Sequence, residues 1–133
     1  MRLAVIRVAG VQFDTAKYTR QYGFTPDVVW RAGKADHVGR VHADSGFNLT
    51  IADANSAEML VQQIRSWFQE NKSALLALNE FKGAAVIDVG LAVGTSAEFT
   101  ASVRFAGSDL RFLAETGVEL SVSAYPAGDD TVA

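Results

Sequence analysis

The chain has 133 residues, 49% of them hydrophobic, and a formal charge of −3 with acidic and basic residues spread along its length. That length and apolar fraction fit one compact domain and argue against disorder. There is no basic block to support nucleic-acid binding, and no cysteine for a disulfide, thiol catalysis or a thiolate metal site.

The opening MRLAVIRVAG is apolar, but Arg7 interrupts it short of the roughly 7–15 apolar residues of a signal peptide. No stretch approaches the about 18 apolar residues of a membrane span. A cytoplasmic protein with no membrane partner is the expectation, and the mild acidity only slightly favours a basic partner.

Arg2–Val8 is apolar on both parities, which predicts a central strand. Asp14 is placed to N-cap a short helix, with Phe13 and Tyr18 spaced as a hydrophobic staple. Gly23 supplies a left-handed helix end, onto which Phe24 can fold back. Thr25, before Pro26, is biased to extended structure, and Asp27–Arg31 begins a second strand. Val38–Asp53 reads as a hairpin turning at Asp44–Gly46. Ala43 then opposes Phe47, Val41 opposes Leu49 and Gly39 opposes Ile51. His42 with Asn48 and Arg40 with Thr50 fall on the other face.

The main helix follows, with Asn55 and Glu58 at capping-box spacing and Leu60, Ile64, Trp67 and Phe68 on one face. Ser73 can cap a further short helix carrying Leu75 and Leu78. Ala84–Val93 and Phe99–Ala106 read as a second hairpin. Val93 opposite Phe99 sets Asp88 against Arg104 as a cross-strand ion pair. A last helix runs from Ser108 to a left-handed Gly117, with Val118 reaching back to Leu113. Glu119–Pro126 alternates like a strand, and 127–133 reads as a loose tail. The predicted order is β-α-β-β-α-β-β-α-β. This is an α+β single domain over residues 1–126, with a mostly antiparallel sheet and helices packed on one face.

FDTAKYTRQYGFTPD near the start, FNLTIAD in the middle and SVRFAGSDLRFLAETGVELSVSAYP at the end carry a resemblance covering roughly the whole chain. The chain resembles a bacterial family known as domain of unknown function 4279. The resemblance implies a small bacterial cytoplasmic α+β domain and no established activity. Some small domains of this kind look like immunity proteins for secreted toxins, so that role is among its implications.

Few residues suggest chemistry. His37 and His42 stand five apart, which in an extended strand points them to opposite faces. With no cysteine to complete a set, a polar strand face is expected there rather than a metal or acid–base site. Asp88 inside an apolar strand could be a perturbed carboxylate, but the register favours its pairing with Arg104. GLAVGTS lacks the lysine and following helix of a phosphate loop, and neither G-x-S-x-G nor G-x-G-x-x-G occurs. Trp30 and Arg31 are typical hot-spot residue types, although an ordinary strand aromatic is a competing reading.

No catalytic residue, metal or cofactor is therefore expected, and the binding candidates are Trp30, Arg31, Arg40 and His42. The expected function is a non-enzymatic protein-binding module, with an immunity-type protein as its particular form. The alternative is a small-molecule-binding protein or an enzyme using His42, Arg40 and Trp30. A pocket holding those three together would favour the alternative, and a flat exposed patch would favour the first.

Overall fold

A computed structural model of the chain describes residues 2–94 and 100–126. Along the chain come β1 (Arg2–Gly10), α1 (Thr15–Tyr22), β2 (Val28–Trp30), β3 (Ser45–Asp53), α2 (Ala57–Glu70), α3 (Lys72–Leu76), β4 (Ala84–Val93), α4 (Gly107–Thr116) and β5 (Glu119–Pro126). The strands form one five-stranded sheet in the order β2-β3-β1-β4-β5. All neighbours are antiparallel except β4 and β5. The α+β class, the mostly antiparallel sheet and the helices on one face agree with expectation. The predicted tail, 127–133, lies outside the described residues.

β1 is the middle strand of the sheet. Its core face carries Ala4, Ile6 and Val8, continued by Phe47 on β3 and by Ala85, Ile87 and Val89 on β4, all buried. Leu60, Ile64 and Phe68 of α2, Leu75 of α3 and Leu113 of α4 complete that core. The other face of the sheet carries Val5, Arg7, Asn48 and Asp88, and among the described residues no helix lies on it.

α1 is fixed to this core by one side chain. Tyr18 is fully buried among the rings of Phe13, Tyr22 and Phe81, at centroid distances of 5.4, 5.0 and 5.2 Å. Its hydroxyl donates to the Ala74 carbonyl at 2.7 Å, tying α1 to α3. Burial pushes the phenol far above its ordinary titration range, and the neighbouring Tyr22 adds to the effect. The predicted helix ends are present: Asp14 accepts from the Lys17 N–H at 3.1 Å, and Gly23 and Gly117 have φ of 71° and 73°.

Two helix starts differ from expectation. Ser56, not Asn55, caps α2 by accepting from Met59 N–H at 3.1 Å, while the Asn55 carbonyl is taken by Arg2 Nη1 at 2.7 Å. The N-cap of α4 is Ala106, two residues before the expected Ser108, which lies inside the first turn. The Asp109 carboxylate does the capping, accepting from Ala106 N–H at 2.8 Å. It is held in place by Arg65 of α2 through two parallel hydrogen bonds of 2.8 and 2.7 Å.

Both predicted hairpins are corrected. Of the expected strand Phe99–Ala106, Phe99 lies outside the described residues and 100–106 form no strand, because the second edge of β4 is taken by β5 in parallel. Asp88 lies between Val5 and Ser121 and accepts from Ser123 Oγ at 3.1 Å, so the expected pair with Arg104 does not form. Val103 and Phe105 pack against the core instead. Likewise both edges of β3 are occupied, by β1 and β2, so Phe47 faces Val8 and Val29 rather than Ala43. Residues 38–43 fold back on 33–36, with Ala35 bridging Val41.

Tyr18→Phe leaves the buried Ala74 carbonyl without its donor and is expected to cost about 1–3 kcal/mol in denaturant unfolding. The guanidinium of Arg65 holds the Asp109 carboxyl below its ordinary range. A depressed folded-state pKa stabilises fully above the unfolded value of about 3.9 and is lost as pH falls through the folded value. Asp109→Asn is therefore expected to lower stability at neutral pH and to flatten the acid limb of stability against pH. Urea midpoints measured from pH 7 downward check both.

Candidate functional site

The sequence around β2 folds so that an aromatic side chain lies flat on the uncovered face of the sheet. Trp30 and Ala9 both pair with Gly46, one from each side of β3. A Cβ on Gly46 would stand 2.6 Å from Trp30 Cζ2 and 2.8 Å from Ala9 Cβ, and would run into the Val8 carbonyl. Glycine is needed here for close approach, since the indole crosses the strand where a side chain would be.

The indole is held at its edge and on its face. Its Nε1 donates to Asp44 Oδ1 at 2.8 Å. The Arg7 guanidinium lies over the ring, with Cζ 4.8 Å from the centroid, a cation–π contact. The His42 ring is 6.2 Å away at a tilt of 31°.

Between β2 and β3 the chain makes a short finger. Gly33 N–H donates to the His42 carbonyl at 2.9 Å, His42 N–H to the Lys34 carbonyl at 3.0 Å and Asp36 N–H to the Arg40 carbonyl at 2.8 Å. The tip is closed by Asp36, whose Oδ1 accepts from Val38 and Arg40 N–H, each at 2.9 Å. Gly39 completes the turn at φ 85°.

The finger and β2 flank an open cavity of about 580 Å³, within the roughly 300–1,000 Å³ typical of ligand pockets. Val28, Trp30, Arg31, Lys34, His37 and His42 are among its lining residues. Of the predicted binding residues the structure brings Trp30, Arg31 and His42 together. Arg40 is not in the cavity wall; its exposed side chain stands 3.7 Å from Asp36 Oδ2 at the finger tip. The two histidines, expected on opposite faces, line the same cavity, because the turn at Asp36–Gly39 breaks the strand parity between them. Among the described residues no group of three His, Cys, Asp or Glu could hold a metal.

The carboxylates near the cavity are occupied. Asp27 accepts from Thr50 N–H at 2.6 Å, Asp36 from the finger backbone and Asp44 from the indole. They orient the backbone and the indole, not an imidazole, so the site has no base–orienter pair of the kind general-base chemistry uses. What it offers is an aromatic floor, an apolar lip and the cations of Arg31 and Lys34. Sequence reasoning missed Arg7, Lys34, Asp44 and Gly46 as parts of this arrangement. The available signal was Arg7, a charge in an otherwise apolar central strand, which required a partner on the uncovered face.

The fold defines a small α+β domain whose sheet is covered on one face and bears a finger at one edge. The chain belongs to the family described as "Domain of unknown function (DUF4279)", which it matches over residues 1–127. No curated protein and no solved structure matches it. Among the described residues no helix is long and apolar enough to cross a membrane.

Gly46→Ala is expected to cost roughly 1–3 kcal/mol through overpacking against the indole and the Val8 carbonyl. In a Trp67→Phe background, where Trp30 is the remaining tryptophan, the same change should shift its emission to the red as the ring leaves its seat.

Proposed function

We propose that the chain is a non-enzymatic protein-binding module whose contact surface is β2 with the finger, and that an immunity-type role is its particular form. The observation that carries this reading is the composition of the β2 edge. Val28 and Val29 are 52% and 51% exposed on an outer strand, directly before Trp30 and Arg31. An exposed edge with apolar side chains on both faces suits an added strand from a partner, whose backbone it can hydrogen-bond. Arg31 and Lys34 then suit a carboxylate on that segment, since the local aspartates are already engaged. Aromatic and arginine side chains at the centre of such a contact are the usual energetic anchors.

A second reading rests on the cavity itself. It places Trp30, Arg31 and His42 around one space large enough for a small organic acid. Arg40, part of the expected set, stands outside it.

The test is co-expression with the product of the gene directly upstream, followed by purification of the complex. A stoichiometric complex is expected, with affinity reduced at least about tenfold by Arg31→Glu. Because Arg31 is exposed, the variant's circular dichroism should be unchanged. No complex, together with a rise in thermal midpoint on adding small carboxylic acids that His42→Ala abolishes, would overturn the first reading in favour of the second.

A further inference from the structure

The opposite edge of the sheet has a different character. β5 pairs with β4 on one side, and among the described residues its other side carries no strand. In register with Ile87 and Val89, Leu120 and Val122 face the helix-bearing side of the sheet, yet they are 36% and 50% exposed. Tyr125 is exposed on the other face. Natural edge strands are normally defended against pairing by an inward charge, an internal proline, a bulge or shortness. β5 has eight residues, with Glu119 first and Pro126 last, and neither charge nor proline between.

We infer that β5 is the interface between two copies of this chain, pairing antiparallel with the β5 of a second copy about a two-fold axis and joining the two sheets edge to edge. This goes beyond the proposed use of β2 and does not depend on it. The argument for a second copy is that the strand is complementary to itself. With Val122 opposite its own symmetry mate, Leu120 faces Ala124, Ser121 faces Ser123 and Glu119 faces Tyr125. Apolar side chains meet on the helix side and hydroxyls meet on the uncovered side. The single carboxylate never meets itself: the two Glu119 side chains fall about 20 Å apart at the usual strand rise, beyond the Debye length of about 8 Å. A slip of one residue would set Val122 against Ser123 and mix the faces, so the pairing has a preferred register. A two-fold contact of this kind closes on itself and stops at the dimer.

Sedimentation equilibrium of the full chain over a range of concentrations tests this. A monomer–dimer equilibrium is expected, weakened at least about tenfold in Val122→Lys and in Val122→Glu, where like charges face each other across the axis. Mixing the two variants should restore association as a heterodimer, which no contact remote from Val122 would do. Both substitutions are at a half-exposed edge position, and circular dichroism checks that the fold is kept. Should either fail to fold, Val122→Cys gives a second measurement. The native chain has no cysteine, so mild oxidation should yield a single disulfide-linked dimer. A wild-type chain that stays monomeric at the highest concentration overturns the inference. So does a dimer that the charged variants leave intact, or a Val122→Cys chain that does not cross-link.

Discussion

Ile6 pairs with Leu49 on one side and Ile87 on the other, and the fold depends on that apolar row. Because neighbouring strands share a face residue by residue, the row decides which side of every strand goes under the helices. It also decides that Arg7, next in β1, must leave by the opposite face. A one-residue slip would carry the guanidinium into the core, at a cost far above that of any lost apolar contact. β3 follows the same rule by irregular means. Ala4 pairs with Ala52 and Val5 with Thr50, so Ile51 is an extra residue at a bulge. The bulge lets Ala52, Leu49 and Phe47 all face the core although the first two stand an odd number of residues apart. Arg7, forced outward, is then the cation that covers Trp30. The site at the sheet edge is thus a consequence of the register at its centre.

The features legible in the sequence were those settled by neighbours in the chain. Asp14, Gly23 and Gly117 act where their spacing placed them, since a cap needs only the turn it belongs to. The central position of β1 matches its apolar run, although only one face of the strand, that of Ala4, Ile6 and Val8, is buried in the core. Cap positions slipped by one or two residues where a distant group intervened. Asp109 caps α4 because Arg65, more than forty positions earlier in the chain, holds its carboxylate there.

The pairing of β4 was not legible for the same reason. Ala84–Val93 and Phe99–Ala106 match as a hairpin on every local criterion, including Asp88 against Arg104. The structure instead gives that edge to β5, reached through α4 in a parallel crossover. The crossover lays Leu113 and Val118 on the core, which no comparison of two adjacent segments reveals. Ser123 then supplies the Asp88 partner that Arg104 was expected to be. Gly46 was misread in a similar way. A glycine after Asp-Ser suggests a turn, whereas its role is to clear the path of an indole from the neighbouring strand.

Residue type alone was enough to single out Trp30, Arg31 and His42, but not to say what surrounds them. The parity argument that separated His37 from His42 assumed a continuous strand. The Asp36 carboxylate removes that strand by accepting two backbone N–H groups, offering the chain a turn in place of a ladder. The same competition sets the electrostatics of the finger. Asp27, Asp36 and Asp44 balance Arg31, Lys34 and Arg40 in number, so composition makes this stretch neutral within a chain of charge −3. In the fold the aspartates are turned to backbone and indole donors, whereas Arg31 and Lys34 face the cavity. A carboxylate already accepting hydrogen bonds from its own chain has less to offer an incoming cation, while a solvated guanidinium or ammonium remains available to an incoming anion. On the proposed reading, this difference in hydrogen-bond commitments, rather than any excess of basic residues, is what a partner's carboxylate would meet at a stretch whose formal charge is zero.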